Sequence, residues 1–94
     1  MEHILVRHRV NDYPKWKEAF DNFVDTRKSY GEKSFQILQK DDDTNNLFVL
    51  FSWDKKENAQ RFFDSTDLKD TMQAAGVTEA PEIYFLSEAA KGNL

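Results

Sequence analysis

The chain has no cysteine, which excludes a disulfide framework, a thiolate nucleophile and a thiolate metal site. Glycine and proline are scarce, three and two among 94 residues, while aromatic residues reach 14%. That balance argues against a disordered chain. No apolar run approaches the roughly 20 residues that a bilayer-crossing helix needs. The first residues, MEHILVRHRV, lack the basic region and long apolar core of a signal peptide. A cytoplasmic protein is expected on these grounds. Basic clusters are missing too, and the net charge of −4 speaks against nucleic acid as a partner. No phosphate-binding glycine loop, Ser-His-Asp arrangement or carboxylate dyad can be assembled from the spacing. Histidine is limited to His3 and His8. An odd spacing puts them on opposite faces of an alternating segment, so they make no metal pair.

What is present is periodic. Glu2 to Val10 alternates, with Ile4, Val6, His8 and Val10 on one face and His3, Leu5, Arg7 and Arg9 on the other, which reads as a strand. Asn11 or Asp12 offers an N-cap, and Pro14 suits a first helical turn. Trp16, Ala19, Phe20, Phe23, Val24 and Arg27 then keep helical spacing as far as Tyr30, where Gly31 supplies a stop. Ser34 to Lys40 and Leu47 to Trp53 read as two strands joined by the turn-forming run Asp41 to Asn46. That run also invites a calcium-loop reading. It lacks glycine at the sixth position, however, and has Ser52 where a bidentate glutamate would close the loop, so a solvated hairpin turn is expected. Asp54 with Glu57 predicts a capping box for a second helix carrying Ala59, Phe62 and Phe63. Ser65, Thr66 and Asp67 mark a break and a new cap, followed by Leu68, Met72 and Ala75 and a stop at Gly76. Glu82 to Ser87 forms the last strand, and the tail from Glu88 has no pattern.

This order predicts a single α+β domain over residues 1–94, a ferredoxin-like βαββαβ sandwich with a four-stranded antiparallel sheet and its helices on one face. The third strand is apolar on both sides, with Leu47, Val49, Phe51 and Trp53 on one face and Phe48 and Leu50 on the other. Helices on one side cannot cover both, so a homodimer joined through the open sheet face is expected. Arg7 and Arg9 should then pair with acidic residues across that dimer.

Three segments, VRHRVNDYPKWKEAF, VLFSWDKKENAQRFFDSTDLKDTM and PEIYFLS, give nearly the whole chain a resemblance to the dimeric α/β-barrel superfamily. Within it, the antibiotic-biosynthesis-monooxygenase-like proteins are the nearest in pattern. The resemblance implies a sheet-to-sheet dimer, a ligand cavity between helices and sheet in each subunit, and relatives that include cofactor-free monooxygenases, isomerases and haem-degrading enzymes. The haem-degrading members carry a histidine ligand on the helix after the strand-three tryptophan. Phe62 and Phe63 occupy that region here and no histidine follows His8, so no cofactor and no metal are expected.

For function, two readings stay open. In one, the protein is an enzyme, a cofactor-free monooxygenase or isomerase acting on a small aromatic or enolisable molecule, with His8 as the catalytic base. In the other it is a non-catalytic dimer that binds a small hydrophobic or aromatic ligand or serves as an interaction module. Tyr13, Trp16, Trp53, Phe62, Phe63 and Tyr84 are the candidate ligand-binding residues, as rings that stack on a flat ligand or orient it. Each has a plainer alternative as a core side chain, and His8 as a core or rim histidine satisfied by a neighbouring hydroxyl or carboxylate.

Overall fold

A computed structural model describes residues 2–94. Alternation in the first segment produces β1 (Glu2–Arg9), whose apolar face carries Ile4, Val6 and His8 into the interior. Asp12 accepts the Lys15 N–H at 3.2 Å and so caps α1 (Tyr13–Asn22). The single long helix expected from the spacing is divided in two. At Phe23, with φ −93° and ψ 6°, the N–H is shared between the carbonyls of Ala19 and Phe20. A second helix, α2 (Val24–Tyr30), then runs to Gly31, whose φ of 110° only glycine tolerates well. Arg27, on α2, is buried in the interior.

The hairpin comprises β2 (Glu32–Lys40) and β3 (Asp43–Trp53). Its turn is only Asp41 and Asp42, so most of the predicted Asp41–Asn46 turn is strand. Long-range pairing overrides local turn preference here. Asn45 accepts the Val10 N–H at 2.9 Å, and Arg9 is bonded to the Asp43 carboxylate. Next come α3 (Lys56–Phe63), α4 (Thr66–Ala74) and β4 (Glu82–Leu86). Ser65 caps α4 by accepting the Leu68 N–H at 3.2 Å. The capping box expected at Asp54 and Glu57 does not form. Asp54 lies in the bend just past β3, where its N–H donates to Gly31 O at 3.1 Å, and its carboxylate accepts from Lys55 N and Asn58 Nδ2.

The sheet is antiparallel in the order β2-β3-β1-β4, with the helices on one face, which is the ferredoxin-like α+β arrangement. Ile4, Val6, Leu47, Val49, Phe51 and Trp53 are buried beneath the helices. Trp53 is fully buried, and its indole N–H donates to Tyr30 O at 2.9 Å. Arg27 is also buried, yet satisfied. Its Nε donates to Glu32 Oε1 at 2.8 Å, an Nη donates to Phe20 O, and the guanidinium lies 3.6 Å from the Phe20 ring centroid. The Phe20 carbonyl, near the end of α1, thus accepts both the shared Phe23 N–H and the guanidinium.

Among the described residues no layer covers the opposite sheet face. Register aligns Gln36, Leu50, Leu5 and Tyr84 in one row and Leu38, Phe48, Arg7 and Glu82 in the next. Leu38, Tyr84 and Leu86 are 49%, 48% and 42% exposed. Arg7 and Arg9 do not await a partner for their charges. Arg7 reaches Glu79 at 2.9 Å and Glu82 at 3.6 Å, and Arg9 binds Asp43 and approaches Glu79 at 3.8 Å. The acidic residues were expected from across a dimer; the chain supplies them itself, from the start of β3, the start of β4 and the segment between α4 and β4.

Removing one member of the buried pair leaves a charge without compensation. Glu32→Gln should therefore lower stability by about 3 kcal/mol, measured as a shift in the urea midpoint at constant m-value.

Candidate functional site

Between the helices and the sheet lies a cavity of about 60 Å³, partly open to the surface and lined almost entirely by apolar atoms. Its floor comes from β1, β3 and β4, through Val6, His8, Val49, Phe51 and Ile83. Its walls come from Trp16, Phe20 and Phe23 on α1 and at its end, Phe62 and Phe63 on α3, and Leu68, Thr71, Met72 and Ala75 on or next to α4. Room exists because Ala19 and Ala75 also stand on this lining, where longer side chains would fill the gap.

His8 is the chemically unusual member. It is 4% exposed, and no group among the described residues bonds either ring nitrogen. Among the described residues the only other buried side-chain polar atom without a partner is Asn46 Oδ1, which lies opposite Arg9 in the sheet and outside the cavity. Leaving a buried donor or acceptor unpaired costs about 1–3 kcal/mol. The expected alternative, a histidine satisfied by a hydroxyl or carboxylate, is therefore not what the fold provides. Trp16 sits beside the imidazole, with ring centroids 5.5 Å apart. Burial, and secondarily the positive charge of Arg7, lowers the His8 pKa to about 4. The ring is neutral at pH 7, with one N–H to donate and one nitrogen to accept.

The other candidates divide. Trp16, Phe62 and Phe63 line the cavity with His8. Trp53 does not; its ring packs at 5.1 Å from Phe62 and its N–H is already bonded, so it is a core residue. Tyr13 stacks on Trp16 with ring centroids 6.0 Å apart and stays outside the lining. Tyr84 is on the opposite sheet face, where its hydroxyl donates to Glu82 at 3.0 Å. Strand parity explains this, since Ile83 and Phe85 take the inner positions of β4. Arg27 and Thr71 were not anticipated as lining residues. The Arg27 signal lay in its place on the apolar stripe of the first helical segment; Thr71 had none. Among the described residues no group of three His, Asp or Glu side chains is placed to hold a metal ion.

No family model and no curated protein matches the chain in sequence. Solved structures do match in fold. SnoaB, a cofactor-independent oxygenase from Streptomyces nogalater, superposes with a TM-score of 0.77 at 14% identity, covering 96% of this chain and 94% of its own. A proposed antibiotic biosynthesis monooxygenase from Nitrosomonas europaea gives 0.68 at 20% identity, covering 96% and 100%. Rv0793 from Mycobacterium tuberculosis gives 0.61 at 13% identity, covering 98% of both chains. The chain thus has the fold of the antibiotic-biosynthesis-monooxygenase-like proteins, as its sequence pattern implied. No helix is long and apolar enough to cross a membrane.

The buried imidazole makes stability depend on pH. Its pKa is 6.5 in the ordinary state and about 4 in the fold, so between these values the unfolded chain binds more protons. The His8 contribution is complete above pH 6.5 and is lost as pH falls toward 4, by roughly 3 kcal/mol in all. Urea unfolding of the wild type and of His8→Phe between pH 7 and pH 4 should show the wild type losing that much more stability than the variant.

Proposed function

We propose that the cavity binds a small enolisable or aromatic molecule and that the protein is a cofactor-free monooxygenase working as a cytoplasmic homodimer. The observation that carries the reading is His8, neutral, buried and unpartnered on an otherwise apolar lining. A neutral imidazole can take a proton from an activated C–H, enol or phenol, and the dry walls favour reaction of the resulting anion over its hydration. Dioxygen is the co-reactant. The carbanion adds O₂ to give a peroxide, which gains a proton and then loses water, so that one CH₂ becomes C=O and the second oxygen leaves in water. The name of SnoaB, a cofactor-independent oxygenase of the same fold, supports this chemistry by analogy.

One observation favours a second reading, a non-catalytic ligand-binding or interaction module. With its pKa near 4, His8 is a weak base for a phenol or enol. The two readings separate in an oxygen electrode run alongside a titration followed by Trp16 fluorescence, using a panel of phenols, 1,3-diketones and hydroxyketones. Oxygen uptake that falls by about 10²-fold or more in His8→Ala supports the enzyme. Saturable binding without uptake supports the binding module, and absence of both overturns the cavity reading.

The dimer rests on the outer sheet face. Leu5, Leu38, Phe48, Leu50, Tyr84 and Leu86 form an apolar surface, and the adjacent arginines are already neutralised within the chain. Two such faces can meet without charge repulsion. Sedimentation at micromolar concentration should give twice the chain mass for the wild type and the chain mass for Leu50→Glu. A monomeric wild type would overturn the dimer.

A further inference from the structure

The size and the dryness of the cavity together say what its interior can hold. Its volume is about 60 Å³, against the roughly 150 Å³ at which an apolar cavity takes up benzene. That is the liquid share of about two waters at roughly 30 Å³ each. A six-membered ring does not enter without displacing a wall, whereas a molecule of two heavy atoms does. Water itself is a poor occupant. It needs two to four polar partners to be held, and the lining consists almost entirely of apolar atoms. The two His8 nitrogens are buried and present almost no surface to a guest of that size.

Resting on the reading of the protein as an oxygenase for the identity of the guest, we propose that the interior of the cavity seats dioxygen and that the organic reactant meets it from the open side. Dioxygen is uncharged and apolar, so it loses no hydrogen bonds on entering a space that offers none. Dispersion holds it, and polarisable walls strengthen that attraction. The rings of Phe20, Phe51, Phe62 and Phe63 and the Met72 thioether all stand on the lining. Of apolar molecules this small, dioxygen is the one that the proposed reaction consumes.

Fixed walls keep the space open. A void in a core closes only as far as its surroundings can relax, and here the helices are pinned at both ends of the sheet. At one end the Trp53 indole N–H donates to Tyr30 O at 2.9 Å. At the other, Val10 forms a β-bridge with Val77, just after α4. Thr78 N–H donates to Arg9 O and Asn11 N–H donates to Gly76 O, both at 3.0 Å. These bonds stitch the C-terminal end of α4 to the end of β1 that bears His8. Gly76, with φ 84°, allows the reversal, and a Cβ on it would strike the Asn11 side chain. Between these two fastenings Ala19 and Ala75 are the shortest side chains on the lining, and the gap is theirs.

The test is NMR of the full chain under dioxygen at raised pressure, with dinitrogen at the same pressure as the diamagnetic reference. Dioxygen is paramagnetic, so methyl protons beside its seat relax faster. The Val6 and Ala75 methyls, on the lining, should gain several times more relaxation than those of Ala59 and Leu47, which are as deeply buried but off the lining. Ala19→Leu, which fills the space, should abolish that excess. Val49→Ile adds one methylene to the floor and should reduce it, which keeps the comparison available if the larger change does not fold. Equal relaxation on and off the lining in the wild type overturns the seat, as does an excess that neither variant lowers. Uptake of oxygen with the organic panel but no excess on the lining leaves the enzyme reading standing and removes this inference. An excess on the lining without uptake supports the seat and removes the enzyme reading instead.

Discussion

The fold depends on one buried indole. Trp53 ends β3 with no exposed surface, and a buried N–H must find an acceptor. It finds Tyr30 O, at the end of α2, where helix carbonyls have no partners of their own. The same ring meets Phe62 at 5.1 Å and Phe63 at 5.8 Å. One side chain thereby ties α2, β3 and α3 together, and the backbone bond from Asp54 to Gly31 beside it closes the joint. The cavity is the space between this fixed joint and the α4 wall, which is stitched to the other end of β1.

Two basic side chains are buried in this core, and the protein treats them differently. Arg27 keeps its charge and is given a carboxylate, a carbonyl and an aromatic face. It costs little as long as all three remain. His8 gives up its charge and receives no partner. An apolar residue at position 8 would pack as well without two unpaired nitrogens, so stability alone does not account for the histidine. A local inconsistency of this kind is what marks His8 as a candidate functional residue.

Several site residues were legible as residue types but not as neighbours. Period-two alternation placed His8 on the same face as Ile4 and Val6, and helical spacing brought Trp16 and Phe20 to the same core. Tyr84 was misplaced because a five-residue strand shows its parity weakly when both faces are apolar or aromatic. Trp53 looked like a pocket wall because it ends a strand, whereas the acceptor that makes it a core residue lies 23 positions earlier in the chain. Thr71 carried no signal, because a single threonine on a helix reads as polar surface until the wall it belongs to is known.

By itself the sequence determined the order of elements, the ferredoxin-like sheet, the inward face of β1 and the stops at Gly31 and Gly76. Each of these follows from short-range periodicity or from the backbone freedom of one residue. Only the tertiary structure decided the division of the first helix at Phe23, the pairing of Arg7 and Arg9 within the chain, and the isolation of His8. Those outcomes depend on which groups distant segments bring into contact and on how much room they leave, and neither is written in the spacing of residues along the chain.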